Sequence, residues 1–423
     1  MNVFYIRPFY KKRGASMKRI SLFILAVILL VTLASCGKEE TITGMEYVEG
    51  QDQQYFYSDL GSNTLFTETE DGYYYFVGFY RCYTYKENMQ SSVLCGRPDC
   101  LHQNETNPER VLDCNAYFSG AQFLQYYDGN LYVVSRKITS DDMELTQLSL
   151  DGSKRKSIQT FPSSILSFAI HRGMLYYTGT SLNEEGVSCS SLLAKPLLSD
   201  DEPEVLFAGT VNSSLGGILC RGDLVYFYDN YFTEERFYAL DYQYNIQTGK
   251  TTLLFDSDHI AQTIYTLGNK GLVGFYAERD QDNICQVKEW FSADFNGENR
   301  KNITVADPHP GTRLYEDSQY LYQYDVYWHR NARPIKEQKL SINFPEGREI
   351  CSIPTGTMGV RNVFVGNDQY CFLYAEQNLE NGDIKMQWYL CDKADFMDGS
   401  CEPVLLMEMP SSQAMQGYHY SSK

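Results

Sequence analysis

A short turn followed by an aromatic strand recurs along this 423-residue chain, and that recurrence restricts the fold more than any other feature. It reads Asp71-Gly72-Tyr73-Tyr74-Tyr75-Phe76, Asp128-Gly129-Asn130-Leu131-Tyr132-Val133, Arg172-Gly173-Met174-Leu175-Tyr176-Tyr177 and Arg221-Gly222-Asp223-Leu224-Val225-Tyr226. Weaker copies begin at Lys270-Gly271, Asp317-Ser318 and Asn367-Asp368. The second turn residues of successive copies are 57, 44, 49, 49, 47 and 50 residues apart. Another turn follows most copies, as at Asp151-Gly152, Thr248-Gly249, Asn296-Gly297, Glu346-Gly347 and Asp398-Gly399. Two hairpin turns in about 45–50 residues are the content of one four-stranded propeller blade. The expected fold is all-β, a β-propeller of about seven blades over residues 59–410. Six or eight blades stay open, because the first and last repeats can share a blade by strand exchange. A pair of β-sandwiches also carries many strands, but the regular spacing argues against it. The 35 Tyr and an aromatic share of 14% favour strands, and 43% hydrophobic residues exclude a disordered chain.

Residues 1–35 read as a signal peptide. Lys18 and Arg19 precede Ile20–Leu33, an apolar run of 14 residues. That is short for a membrane-spanning helix, which needs roughly 20, and fits a secretory leader. A second start-like Met-Lys-Arg at Met17 suggests that translation begins there. The run ends in Leu33-Ala34-Ser35-Cys36-Gly37, which resembles the lipobox of bacterial lipoproteins. The resemblance implies that Cys36 receives a diacylglycerol and becomes the mature N-terminus; the other reading is an ordinary signal peptide. Two acyl chains anchor a protein stably to a bilayer. Residues 36–58 are then the lipidated Cys and a polar tether, and 411–423 a C-terminal tail. Loss of the leader removes six of the 36 basic residues and none of the 54 acidic ones, leaving a net charge of −24. Such a balance argues against nucleic acid as a partner and against an electrostatic hold on anionic lipid.

With a lipobox, a short tether and Asp-Gly-x-x-Tyr-Tyr repeats, the chain resembles the propeller lipoproteins of Gram-positive, Clostridia-like bacteria. Their propeller domain, of unknown function, is distantly similar to TolB-like repeats. The resemblance implies a lipid-anchored propeller on the extracytoplasmic face of the cell membrane. It carries no catalytic residues with it.

The chain has 12 Cys, three of them in a cluster: Cys95-Gly-Arg-Pro-Asp-Cys100-Leu-His102, followed by Cys114. The insertion at 95–114 follows the first aromatic strand. Three thiols and an imidazole are ligands suited to a closed tetrahedral structural zinc site. Outside the cell, disulfides within the loop, with Cys82 as a further partner, are equally open, as are free thiols. With Cys36 lipidated, 11 Cys remain, an odd number, so complete pairing is excluded. Cys189, Cys220, Cys285, Cys371 and Cys391 recur at strand positions and read as small buried hydrophobes.

No H-E-x-x-H or G-x-S-x-G occurs, so zincin-type proteolysis and a nucleophile elbow lack support. Gly249-Lys250-Thr251 imitates the end of a phosphate loop, but Tyr244 stands where its first Gly is needed. Arg221-Gly222-Asp223 imitates an adhesive tripeptide, yet it falls on the repeat's own turn. The expectation is a binding or scaffold module for a protein, peptide or glycan ligand. The alternative is an extracellular polysaccharide hydrolase or lyase on a propeller scaffold.

Overall fold

Alternation within the aromatic strands dictates the architecture. In Gly72–Val77 every residue is buried, odd and even positions alike. A strand points successive side chains to opposite faces, so this one must lie between two other layers. Repeated around a chain, that requirement is met by sheets packed face to face in a closed ring.

The computed structural model describes residues 43–57, 65–105, 107–137, 140–162, 167–182, 185–232, 237–255, 261–279, 285–305, 312–325, 340–343 and 359–414. The leader, Cys36 and the chain beyond Ala414 lie outside the described residues. Gly44–Lys423 forms one unit. The first sheet holds β1 (Phe66–Glu68), β2 (Gly72–Val77), β3 (Tyr80–Tyr85) and β4 (Ser91–Val93). The second holds β5 (Phe123–Tyr127), β6 (Asn130–Arg136), β7 (Met143–Ser149) and β8 (Arg155–Phe161). The third runs β9 (Phe168–His171), β10 (Met174–Leu182), β11 (Ser188–Pro196) and β12 (Glu204–Val211). The fourth comprises β13 (Ser214–Arg221), β14 (Leu224–Phe232), β15 (Phe237–Asn245) and β16 (Lys250–Phe255). In the fifth are β17 (Ala261–Leu267), β18 (Leu272–Arg279), β19 (Cys285–Ala293) and β20 (Lys301–Asn302). The sixth has β21 (Thr312–Glu316), β22 (Leu321–Asp325) and β23 (Leu340–Asn343), and the seventh β24 (Gly359–Phe364), β25 (Tyr370–Asn378), β26 (Ile384–Asp392) and β27 (Val404–Pro410).

Each sheet is an antiparallel meander of consecutive strands, six of them four-stranded and the sixth three-stranded among the described residues. Among the described residues no strand is exchanged between the first and last sheets. The repeat turns join each first strand to its second. Asp128-Gly129 and Arg172-Gly173 have φ of 44° and 74°, and 50° and 79°, the paired left-handed residues of a tight hairpin.

Seven apolar clusters fill the seven interfaces between neighbouring sheets. Tyr73, Tyr75 and Val77 pack on the seventh sheet with Phe372 and Trp388, while Tyr74 and Phe76 turn to Leu131 and Val133 of the second. The same split recurs later: Leu224 and Tyr226 meet Leu272 and Phe291, and Val225 and Phe227 meet Ala169 and Tyr176. The ring closes through Trp388, whose Nε1–H donates to the Phe76 carbonyl at 2.8 Å. Beside it, the amide of Phe79 donates to the carbonyl of Ala414 at 2.8 Å, in the terminal turn Ser411–Ala414. Gly78 permits this contact: a Cβ there would come within 2.5 Å of that carbonyl oxygen.

Candidate metal centre and the strapped channel mouth

The insertion between β4 and β5 is held against the β2–β3 hairpin, the end of the first sheet opposite the Asp71-Gly72 turn. Backbone bonds join Leu94 N–H to the Arg81 carbonyl and Arg81 N–H to the Ala116 carbonyl. Thus the residues just before Cys95 and just after Cys114 flank one strand residue, Arg81. The Tyr80 hydroxyl donates to the His102 carbonyl, and Asn115 reaches across to the Gly152 carbonyl of the second sheet. Asn107 caps the short helix Pro108–Leu112, accepting from the Glu109 amide at 3.0 Å, and this helix delivers Cys114.

These anchors bring the four predicted side chains together. The ligand atoms of Cys95, Cys100, His102 and Cys114 all lie within 4.8 Å of one another. The three thiols are free, and so is Cys82, which is buried and turned to the Tyr80 carbonyl. The four side chains named from the sequence thus converge as one thiol–imidazole cluster. Zinc bonded to sulfur at ~2.3 Å in a tetrahedron separates thiolates by roughly 3.8 Å, so a slight contraction completes such a site. Peptide N–H groups already serve the sulfurs: those of Arg97 and Asn115 donate to Cys95, and that of Ala116 to Cys114. A hydrogen bond from Cys114 holds the Cys95 thiol well below its ordinary value, and the same contact pushes Cys114 up. His102 has φ of 50°, a left-handed backbone that costs a non-glycine residue free energy and aims its ring at the sulfurs. The cluster can hold a metal ion.

At the other end of the ring, the stretch expected to be a polar tether is in fact packed from Gly44 to Tyr57. Asp52, Gln53, Gln54 and Tyr57 are buried. This strap crosses the mouth of the channel lined by the first strands, pairing with the repeat turns of successive sheets. Gly50 accepts from the Asp128 amide and Gln51 from the Arg172 amide, both at 2.8 Å. Gln53 accepts from the Cys220 amide at 2.6 Å, and Tyr55 donates to Asn269 at 3.1 Å. Gln54 accepts from Thr67 and from the Glu68 amide, and Tyr57 packs on Phe372. The Arg172 guanidinium lies between Asp52 at 2.9 Å and Asp223 at 2.6 Å. His171 beside it accepts from the Gln53 amide at Nδ1 and donates from Nε2 to the Gly222 carbonyl at 2.7 Å. Burial lowers its pKa, so it stays neutral. Arg221-Gly222-Asp223 is engaged within the fold: Arg221 lies over Tyr55 and Phe295, and Asp223 binds Arg172 and the Gly44 amide. It is a structural turn.

A cleft of about 410 Å³ opens between the fifth and sixth sheets. Its lining includes Lys270, Ser292, Asn302, Gln319 and Tyr320, with Glu316 as the one carboxylate among the described lining residues. Burial raises the Glu316 pKa. Acid–base cleavage of a glycosidic bond uses two carboxylates.

This is a β-propeller by architecture, and solved propellers resemble it. A prolyl endopeptidase matches with a TM-score of 0.51 and 11% identity over 95% of this chain, which spans about half (55%) of that one. The β-propeller domain of the Trilobed protease from Pyrococcus furiosus gives 0.48 at 10% identity, covering 86% of this chain and 97% of that domain. TolB from Acinetobacter baumannii gives 0.38 at 14% identity over 82% and 79%. At these identities the likeness concerns the fold. No protein-family model matches the sequence, and no curated protein does.

Proposed function

We propose that this protein is a membrane-anchored extracytoplasmic lipoprotein whose propeller binds a protein, peptide or glycan ligand, with its largest insertion stapled by a metal ion. The observation that carries this reading is the strap. Its first packed residue, Gly44, follows the lipobox Cys36 by eight positions, a reach of at most ~29 Å. A lipid on Cys36 would therefore keep the strapped mouth near the bilayer and turn the opposite end outward, with the stapled insertion. Loops at that free end, one set from each sheet, supply the binding surface. Among the described residues no helix is long and apolar enough to cross a membrane, so the anchor in this reading is the lipid.

The test is detergent phase partitioning of the full chain expressed in a Gram-positive host with an alkyne-tagged fatty acid. The wild type enters the detergent phase with label, and Cys36→Ala loses the label and moves to the aqueous phase. Unlabelled wild type in the aqueous phase rejects the anchor. Glycan and peptide arrays probed with the solubilised full chain then test binding. Release of oligosaccharide products instead would replace the binding module with an enzyme.

A further inference from the structure

The metal-stapled insertion is the feature with the most unexplained chemistry around it, and the inference here rests on that part of the proposed function. Arg81 is fully buried, an unusual place for a permanent cation. Its Nη2 donates to the Leu94 carbonyl at 2.9 Å, but Nε and Nη1 have no hydrogen-bond partner. No carboxylate forms an ion pair with it among the described residues, although a buried charge left uncompensated costs several kcal/mol, of order. The titratable groups near enough to act on it are Tyr74, a second cation, Arg155, and the thiols of Cys95 and Cys114. Arg155 lies over the Phe118 ring, which Arg81 also faces at 6.0 Å, and donates to the Tyr117 carbonyl at 3.0 Å. The strand residue that both metal-bearing loops clasp through their backbones is thus a cation in want of an anion.

We infer that the cluster is a closed zinc site, Cys95, Cys100, Cys114 and His102 being its four ligands, and that Arg81 is its buried counter-ion. Three thiolates, a neutral imidazole and Zn²⁺ sum to a net charge of −1, which the single guanidinium neutralises. The donor set selects the ion: three soft thiolates and one imidazole in a tetrahedron suit zinc, whereas calcium and magnesium take oxygen. With four protein ligands no position is left for water, so the ion is structural rather than hydrolytic. Binding displaces the thiol protons and leaves the oxidation state of sulfur unchanged. In an oxidising compartment the metal therefore also keeps three neighbouring thiols from joining as disulfides.

The test uses the full chain purified without added metal. Elemental analysis should find one zinc per chain, and thiol titration should rise by three when a strong chelator is added. Cobalt(II) substitution should give the absorption of a tetrahedral thiolate site. One equivalent of iron instead of zinc would overturn the inference while leaving a metal staple in place. Metal-free protein, with free or disulfide-bonded Cys, would overturn both. For Arg81, chelator competition is the readout. Arg81→Met should weaken zinc binding by 10–100-fold, as outer-shell partners do, and Arg81→Lys should recover most of it; equal affinity in both defeats the counter-ion role. Should Arg81→Met not fold, Arg81→Gln takes its place in the same comparison.

Discussion

At the scale of single residues, the chain places charge in its interior in two ways. Arg172 is paired on both sides, with Asp52 and Asp223. Asp241, by contrast, is buried on β15 with an oxygen that has no hydrogen-bond partner. Burial pushes its carboxyl well above the ordinary carboxylate range. The folded chain therefore holds this proton more tightly than the unfolded one. Asp241 contributes stability in full below the unfolded pKa, and that contribution is lost as pH rises through the folded value. Asp241→Asn should stabilise the protein at pH 7 by about 1–3 kcal/mol, the usual cost of an unsatisfied buried polar group. It should also flatten the fall in stability above pH 4. Denaturant melts of both proteins from pH 4 to 8 check this, and parallel curves would refute it. Breaking the paired cation has the opposite effect: Arg172→Ala leaves two acids facing each other and should cost about 3–5 kcal/mol. The same melts read it at pH 7, and a loss under 1 kcal/mol would show that the strap is not held there.

At the scale of elements, the turns and aromatic strands were legible and the strap was not. Asp-Gly and Arg-Gly before an aromatic run announce a hairpin by their own conformational needs, and the structure places a first-to-second-strand turn at each. The stretch Asp52-Gln53-Gln54 has no such local signature. Polar residues next to a leader read as a tether, and their burial depends on partners 118 and 167 positions away, His171 and Cys220. Period and propensity do not register pairing at that range. The Cys–His cluster was legible as a set of candidate ligands, since Cys and His at close spacing name their own chemistry. Its geometry was hidden, because Cys114 comes to the others through a capped helix and a clasp on Arg81. Arg81 itself gave no sign: an Arg on a strand ordinarily points to water.

At the scale of the whole molecule, stability rests on seven similar interfaces, one of which closes the ring. Most interfaces join sheets that are consecutive in sequence. The closure joins residues more than 300 positions apart, through Trp388 and Phe76. Trp388→Ala removes a buried indole from the largest aromatic cluster and should cost about 3–5 kcal/mol. Because the lesion lies at the seam, protease should first cut near Phe79 and Ala414, on either side of it. Limited proteolysis with mass spectrometry of the fragments checks this, and cleavage confined to the middle sheets would contradict it.

The strap also decides how the molecule bears tension. A chain fastened by one edge strand can be peeled off bond by bond. Here a pull on the backbone at Gly44 is shared at once among the turns of several sheets and a buried guanidinium. The load is carried in shear across the hub, and the outer strands are left untouched. Under the anchoring proposed above, drag on the far side would load these strap contacts together before it reached any one outer strand.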